Sequence, residues 1–262
     1  MSNITTNIKG IRDIMRKDTG VDGDAQRISQ MVWMLFMKIF ADKEEEWKKS
    51  NYESPIPENL KWQNWAADDE GLTGDALMEF VNNELFPALK ELDITISPQA
   101  QIIRSVFEDT YNYMKNGTLF RQVINVINEI DFNSTTERHL FNDIYETILK
   151  ELQSAGSSGE YYTPRAVTQF MVDMINPQLG ESVLDPACGT GGFLTCTIDH
   201  MREQVKTPKD RDVLQTSIRG IEKKPLPHLL CTTNLMLHGF DLPAVRRDNL
   251  LFKRQVDNIL DA

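Results

Sequence analysis

The 262-residue sequence predicts an α + α/β chain, an N-terminal helical bundle followed by an incomplete parallel sheet. Three observations carry this. Apolar residues recur at helical spacing through roughly the first 150 positions. A Gly/Ser stretch, QSAGSSG at residues 153–159, then breaks the composition. Beyond it, short apolar segments alternate with helical ones, the pattern of a parallel sheet crossed by helices. The expected domains are residues 1–154 and residues 155–262.

In the first part, residues 24–49 read as a helix through Ile28, Val32, Leu35, Phe36, Ile39 and Phe40. Residues 31–40 are apolar on nearly every face, so this helix is expected at the centre of the bundle. Residues 51–69, with Pro55, Pro57, Trp62 and Trp65, read as a long loop pinned by the tryptophans. Asp75 precedes a helix with Leu77, Phe80, Val81, Leu85 and Leu89. Ser97 and Pro98 form a cap and first-turn proline before Ile102, Ile103, Val106 and Phe107. Thr118 opens a helix running from Leu119 to Ile130. Ser134 and Glu137 form a capping box for a helix with Leu140, Phe141, Ile144, Ile148 and Leu152.

In the second part, Thr163 and Pro164 begin a helix with Val167, Phe170, Met171 and Met174. Strands are expected at residues 182–184 and 218–221, and a third begins at residues 256–260. Helices are expected at residues 192–206 and 225–238, the latter ended by Gly239. Residues 208–216 read as an insertion.

Hydrophobic residues at 40% and charged residues at 26% are globular proportions that allow a sizeable core. No apolar run approaches the roughly 20 residues needed to span a bilayer, so no membrane association is expected. The net charge of −11 makes the chain a poor nonspecific nucleic-acid binder by itself. Cys188, Cys196 and Cys231 are too few and too scattered for a disulfide framework or a zinc site, which fits a reducing cytoplasm. They read as buried small residues, and His200, His228 and His238 have no metal-site spacing.

The segment Val183-Leu184-Asp185-Pro186-Ala187-Cys188-Gly189-Thr190-Gly191-Gly192-Phe193-Leu194 carries the chemistry. A strand ends in an acid, turns through glycines and enters a helix whose first N–H groups are free donors. The dinucleotide fingerprint would need a glycine where Leu194 stands. A phosphate loop would need a lysine before Ser or Thr, and this segment has no lysine. An acid placed before the glycines suits a ligand with a cationic amine. Glu222 ends the next strand, 37 residues after Asp185, where a carboxylate can accept from ribose hydroxyls.

Asp-Pro-Ala-Cys-Gly-Thr-Gly-Gly-Phe resembles the first motif of S-adenosylmethionine-dependent amino-methyltransferases. Gly159-Glu160-Tyr161-Tyr162-Thr163-Pro164 resembles the motif preceding it in DNA adenine methylases of the gamma order. Gly220-Ile221-Glu222, Asn234-Leu235 and Leu237-His238-Gly239 resemble the stretch that follows. The helical first half resembles the N-terminal domain of modification subunits of type I restriction-modification systems. The resemblance implies a Rossmann-like methyltransferase domain that transfers methyl from S-adenosylmethionine to adenine N6 in DNA. It places Glu160, Tyr161, Thr163 and Pro164 at the methionine end of the cofactor. It assigns the cofactor's amino-acid part to Asp185 and the backbone of Cys188, Gly189, Thr190 and Gly191, the ribose to Glu222 and the adenine to Asp248. The implied partners are a specificity subunit, a second modification subunit, a restriction subunit and, through the complex, double-stranded DNA. The helical domain would then make DNA and subunit contacts.

Family members carry an Asn-Pro-Pro-aromatic tetrapeptide that accepts the hydrogens of the adenine amine and stacks on the flipped base. This sequence contains no Pro-Pro, so no catalytic residue is assigned. The expectation is a truncated chain that binds S-adenosylmethionine without methylating DNA alone. Its unfinished sheet would expose an apolar edge and favour association. Two other readings stand beside this one, a non-enzymatic module that docks on a specificity subunit and a nicotinamide-dependent oxidoreductase.

Overall fold

The computed structural model describes residues 4–48, 52–132 and 163–249. The chain divides into two compact units, Met1–Glu160 and Tyr161–Ala262. The capping-box helix, the Gly/Ser stretch, Glu160, Tyr161 and the strand expected at residues 256–260 lie outside the described residues.

The first unit is helical. Helix α1 (Ile4–Met15) adds to the expected elements, with Ile8, Ile11 and Met15 on one buried face. Helix α2 (Asp24–Trp47) is buried continuously from Met31 to Met37, as its all-round apolar sequence requires. Trp33 meets the edges of Phe86, Phe107 and Phe120 at ring-centroid distances of 5.0, 6.2 and 5.9 Å. Edge-on aromatic pairs of this kind add about 0.5–1.5 kcal/mol each beyond their burial.

The proline- and tryptophan-containing loop is ordered and contains helix α3 (Trp62–Trp65). Then come α4 (Gly74–Glu79), a π-helical turn (Phe80–Leu85) and α5 (Phe86–Lys90). The expected single helix is thus interrupted by a change of winding. Pro87 explains it: proline supplies no N–H and crowds the preceding turn, and a π turn absorbs the register change. Helix α6 (Pro98–Phe107) begins at the expected cap, where Ser97 Oγ accepts from Ala100 N–H. Helix α7 (Gly117–Asn128) starts one residue before Thr118 and is capped by Asn116.

Buried polar side chains staple these elements. Asp18 accepts from the N–H groups of Gly20, Lys115 and Asn116 at 2.8, 3.0 and 2.9 Å. Arg121, on α7, donates to the carbonyls of Trp65, Ala66, Asp68 and Leu72 at 2.8–3.1 Å. Trp62 donates to Asn128, which donates to Ala66 O. The loop is therefore held by polar groups of α7 as much as by its own tryptophans.

The second unit holds a parallel three-stranded sheet, β1 (Val183–Asp185), β2 (Ile218–Glu222) and β3 (Ala244–Arg247), in the order β1-β2-β3. Asp185 pairs with Gly220, and Glu222 with Arg247. Two elements add to those expected. The third strand of the sheet is Ala244–Arg247; residues 256–260, where the sequence expects a third strand to begin, lie outside the described residues. The segment read as an insertion is a helix, Pro208–Ser217, opened by a Thr207–Asp210 capping box. In chain order the helices are α8 (Arg165–Ile175), α9 (Gly192–Arg202), α10 (Pro208–Ser217) and α11 (Pro225–Leu237). Cys188, Leu194, Ile198, Leu214, Cys231, Leu235 and Phe240 form the core.

Helix α8 departs from its apolar periodicity. Pro164 stands at its N-cap, not in its first turn. Thr168 and Val172 are buried, whereas Phe170, Met174 and Ile175 are 63%, 67% and 74% exposed. Among the described residues no helix is long and apolar enough to cross a membrane.

Two predictions follow. Replacing Arg121 by Met removes its four bonds to carbonyls, two of them buried, leaves Trp65 O without that donor, and lowers the stability of the first unit by about 3 kcal/mol. Urea unfolding read by tryptophan fluorescence reports on this unit alone, because all four tryptophans lie within it. The second concerns His228, whose Nε2 lies 3.1 Å from Val245 O and whose pKa burial pushes down to about 4. An imidazole in the unfolded chain titrates near 6.5, so the stability it contributes above that pH is lost as the pH falls from about 6.5 to about 4. NMR titration should place its midpoint near 4, and His228→Phe should flatten the acid limb of the stability profile.

Candidate functional site

The C-terminal ends of parallel strands are where α/β sheets bind ligands. Here β1 ends in Asp185 and β2 in Glu222, and between them runs the glycine turn. Cys188 N–H donates to Ile221 O at 2.9 Å, tying the turn to the end of β2. Gly191 N–H returns to Cys188 O at 2.8 Å. Gly189 and Gly191 have φ values of 55° and 86°, the left-handed region that favours glycine.

Space matters as much as dihedral angle. A Cβ on Gly191 would come within 2.8 Å of Cys231 Sγ, and one on Gly220 within 2.9 Å of Cys188 Sγ. The two buried thiols lie 3.7 Å apart, so the turn, β2 and α11 meet without clearance. Hydrogen bonding to Cys188 and burial push the Cys231 thiol up, with the charges of Asp185 and Glu222 adding to the effect. These cysteines pack as the sequence predicts.

The two carboxylates differ in their surroundings. Asp185 accepts from Ala187 N–H at 3.1 Å. Burial holds its carboxyl above the usual carboxylate range; the Ala187 bond opposes this and the charge of Glu222 reinforces it. A cation brought beside Asp185 would relieve that cost. Glu222 accepts from Gly189 N–H at 2.9 Å through one oxygen and from Lys224 N–H at 2.7 Å through the other. A carboxylate has about four acceptor positions, so both oxygens can accept again. Asp248 N–H donates to Glu222 O at 3.2 Å, which brings Asp248 to the same edge of the sheet.

Family and structural likenesses agree with this arrangement. Residues 4–127 match the HsdM N-terminal domain and residues 136–261 match the N-6 DNA Methylase family. The EcoEI methylase subunit of a type I restriction enzyme from Escherichia coli is 59% identical over 95% of this chain and 52% of its own length.

The chain belongs to the family of type I restriction-modification methylase subunits.

A modification subunit assigned to a type I restriction enzyme of Vibrio vulnificus superposes with a TM-score of 0.81 at 42% identity, over 94% of this chain and 55% of that one. A chain from a structure of type I complex assembly and conformational transition also gives 0.81, at 34% identity over 95% and 51%. The chain thus spans about half the length of the relatives it matches.

The structure brings Asp185, Cys188, Gly189, Thr190, Gly191, Glu222 and Asp248 to one edge of the sheet. Thr163 and Pro164 are exposed immediately before α8. An apolar groove of about 270 Å³ lies on the β1 side, where Asp185 and Phe193 meet Val172, Ile175 and Leu194. Two further residues support the glycine turn. Asn234 is buried on α11 and donates to Thr190 O at 3.3 Å. Arg165, on α8, donates to Thr195 Oγ1 at 2.5 Å and to Asp199 at 3.0 Å. Asn234 stood within a quoted motif, but its partner is 44 residues away and invisible to spacing.

Crowding around the turn predicts unequal tolerance of two adjacent glycines. Gly191→Ala introduces both a strained φ and a clash with Cys231, whereas a Cβ on Gly192 would meet only Thr168 Cγ2, at 4.0 Å. Gly191→Ala should lower stability by about 1–3 kcal/mol. Gly192→Ala should lie close to the wild type in thermal melting.

Proposed function

We propose that this sheet edge is the S-adenosylmethionine site of a type I modification subunit. The observation that carries the reading is the pair of carboxylates, Asp185 and Glu222, flanking a glycine turn pressed too tightly for side chains. The cofactor's ammonium matches Asp185, whose burial is only partly compensated by the Ala187 N–H. The ribose hydroxyls match the remaining acceptor positions of Glu222, and Asp248 stands where the adenine would lie. The backbone from Cys188 to Gly191 supports the amino-acid part, with Thr163, Pro164, Glu160 and Tyr161 assigned to the methionine end.

When bound, S-adenosylmethionine supplies an electrophilic methyl group on a sulfonium. In the reaction of the family the acceptor is adenine N6 in DNA. The residues present here bind and orient; they do not activate the amine. That step needs acceptors for its hydrogens and a ring for the flipped base, and the 262 residues contain no Asn-Pro-Pro-aromatic tetrapeptide. We therefore assign this chain cofactor binding without methyl transfer of its own. Its setting is a cytoplasmic complex in which specificity and restriction subunits, with a second modification subunit, supply target reading, cleavage and much of the grip on double-stranded DNA. The helical unit is the face for DNA and subunit contacts.

Calorimetric titration of S-adenosylmethionine into the purified chain should show saturable binding near one equivalent. Asp185→Ala should weaken it by about tenfold or more, the equivalent of at least about 1.4 kcal/mol. Labelled cofactor and DNA containing the cognate site should yield no labelled DNA with this chain alone. A folded chain that gives no heat with the cofactor would overturn the reading.

A further inference from the structure

The Thr163–Pro164 segment can line the cofactor's methionine end only if something holds it at a set distance from the glycine turn. Pro164 has no N–H to contribute. The connection is made by the next residue. Arg165 donates through Nη1 to Thr195 Oγ1 at 2.5 Å and through Nη2 to Asp199 Oδ2 at 3.0 Å. Residues four apart on a helix share a face, so the planar guanidinium bridges two successive turns of α9.

The contact continues into the turn itself. Thr195 is fully buried, its Oγ1 donates to Gly192 O at 3.2 Å, and its N–H donates to Gly191 O at 2.9 Å. One hydroxyl thus separates the guanidinium from the glycine backbone. Asp199 is held in turn by Arg202, at 3.2 Å, and Arg202 also donates to His238 O. At the other end of α8, His200 of α9 meets Asp173 at 3.4 Å and Asn176 at 2.9 Å, so the Arg165 contact is the polar tie at the end that carries Thr163 and Pro164. Thr168 Oγ1 lies 3.2 Å from Cys196 Sγ. That small contact sets how closely the helices approach in the middle of α8. The two-pronged Arg165 contact fixes the N-terminal end of α8, next to Thr163 and Pro164, against α9.

We propose that Arg165 is a positioning residue for cofactor binding: through Thr195 and Asp199 it registers the Thr163–Pro164 wall against the glycine turn, without touching the cofactor. The inference rests on the cofactor reading above. Its consequence is selective, because only the methionine end of the ligand feels the register of that wall. The adenosine end is served by Glu222 and Asp248, on β2 and just after β3.

The test compares two ligands, S-adenosylmethionine and 5′-methylthioadenosine, which keeps the adenosine and sulfur but lacks the amino-acid part. Calorimetry would be run on the wild-type chain and on Arg165→Ala, Arg165→Lys and Thr195→Val. Arg165→Ala should weaken S-adenosylmethionine by about 10- to 100-fold, the scale of a misplacement near 1 Å, while 5′-methylthioadenosine stays within about twofold. Arg165→Lys should restore only part of the loss, because one ammonium cannot reproduce the planar fork. Thr195→Val keeps the side-chain shape and the Arg165–Asp199 pair, and should move in the same direction by less. Equal weakening of both ligands in folded variants would mean a general structural role and overturn the proposal, as would unchanged S-adenosylmethionine binding in Arg165→Ala. Failure of the wild type to bind either ligand would remove the cofactor reading itself, together with this inference.

Discussion

The second unit depends on the close approach of backbone at the end of its sheet. Cys188 N–H reaches Ile221 O, Gly191 backs onto Cys231, and Gly220 faces Cys188 and Leu194. No side chain fits between these segments, so the turn after β1 lies directly on the end of β2. The rest follows from that contact. Asp185 and Glu222 become neighbours, the charge of one raises the cost of ionising the other, and Glu222 can cap Gly189. A looser turn would separate the acids and leave burial alone to raise the cost of ionising Asp185.

The first unit solves a different problem. Its centre is one helix with no solvent face along much of its length, and three aromatic rings set edge-on around Trp33. Apolar burial is non-directional, and such a core admits several ways of laying the connecting loops over it. Directionality comes from a few buried polar groups. Asp18 gathers N–H groups from the turn after α1 and from the segment before α7, and Arg121 gathers carbonyls from the loop around α3. Each ties segments about 50 to 100 residues apart, which is why long loops in this unit are ordered.

Much of the fold is legible in local sequence. The all-round apolar run of α2, the Ser97–Pro98 start of α6, the strand–glycine–helix punctuation at β1 and the two strand-end acids all appear where their chemistry requires. The misses have local causes too. Pro87 changes the winding of a helix that periodicity alone carries straight through. Thr207 and Asp210 cap a helix that its sparse apolar residues do not announce. β3 is four residues, Ala-Val-Arg-Arg, too short and too charged to announce itself as a strand. It is a strand because its backbone completes the edge of β2.

The sequence by itself determined the helical-then-alternating order of the chain, the glycine turn and the acids that frame it, because each depends on residues within a few positions of one another. Tertiary structure alone decided which contacts those residues make. It placed both oxygens of Glu222 on backbone N–H groups, Asn234 beneath Thr190, and Arg165 across Thr195 and Asp199. It also left Phe170, Met174 and Ile175 exposed on a helix whose spacing reads as core. The physical reason is the same throughout. Periodicity encodes which residues share a face, but partners on other elements are chosen by packing and hydrogen-bond geometry in three dimensions.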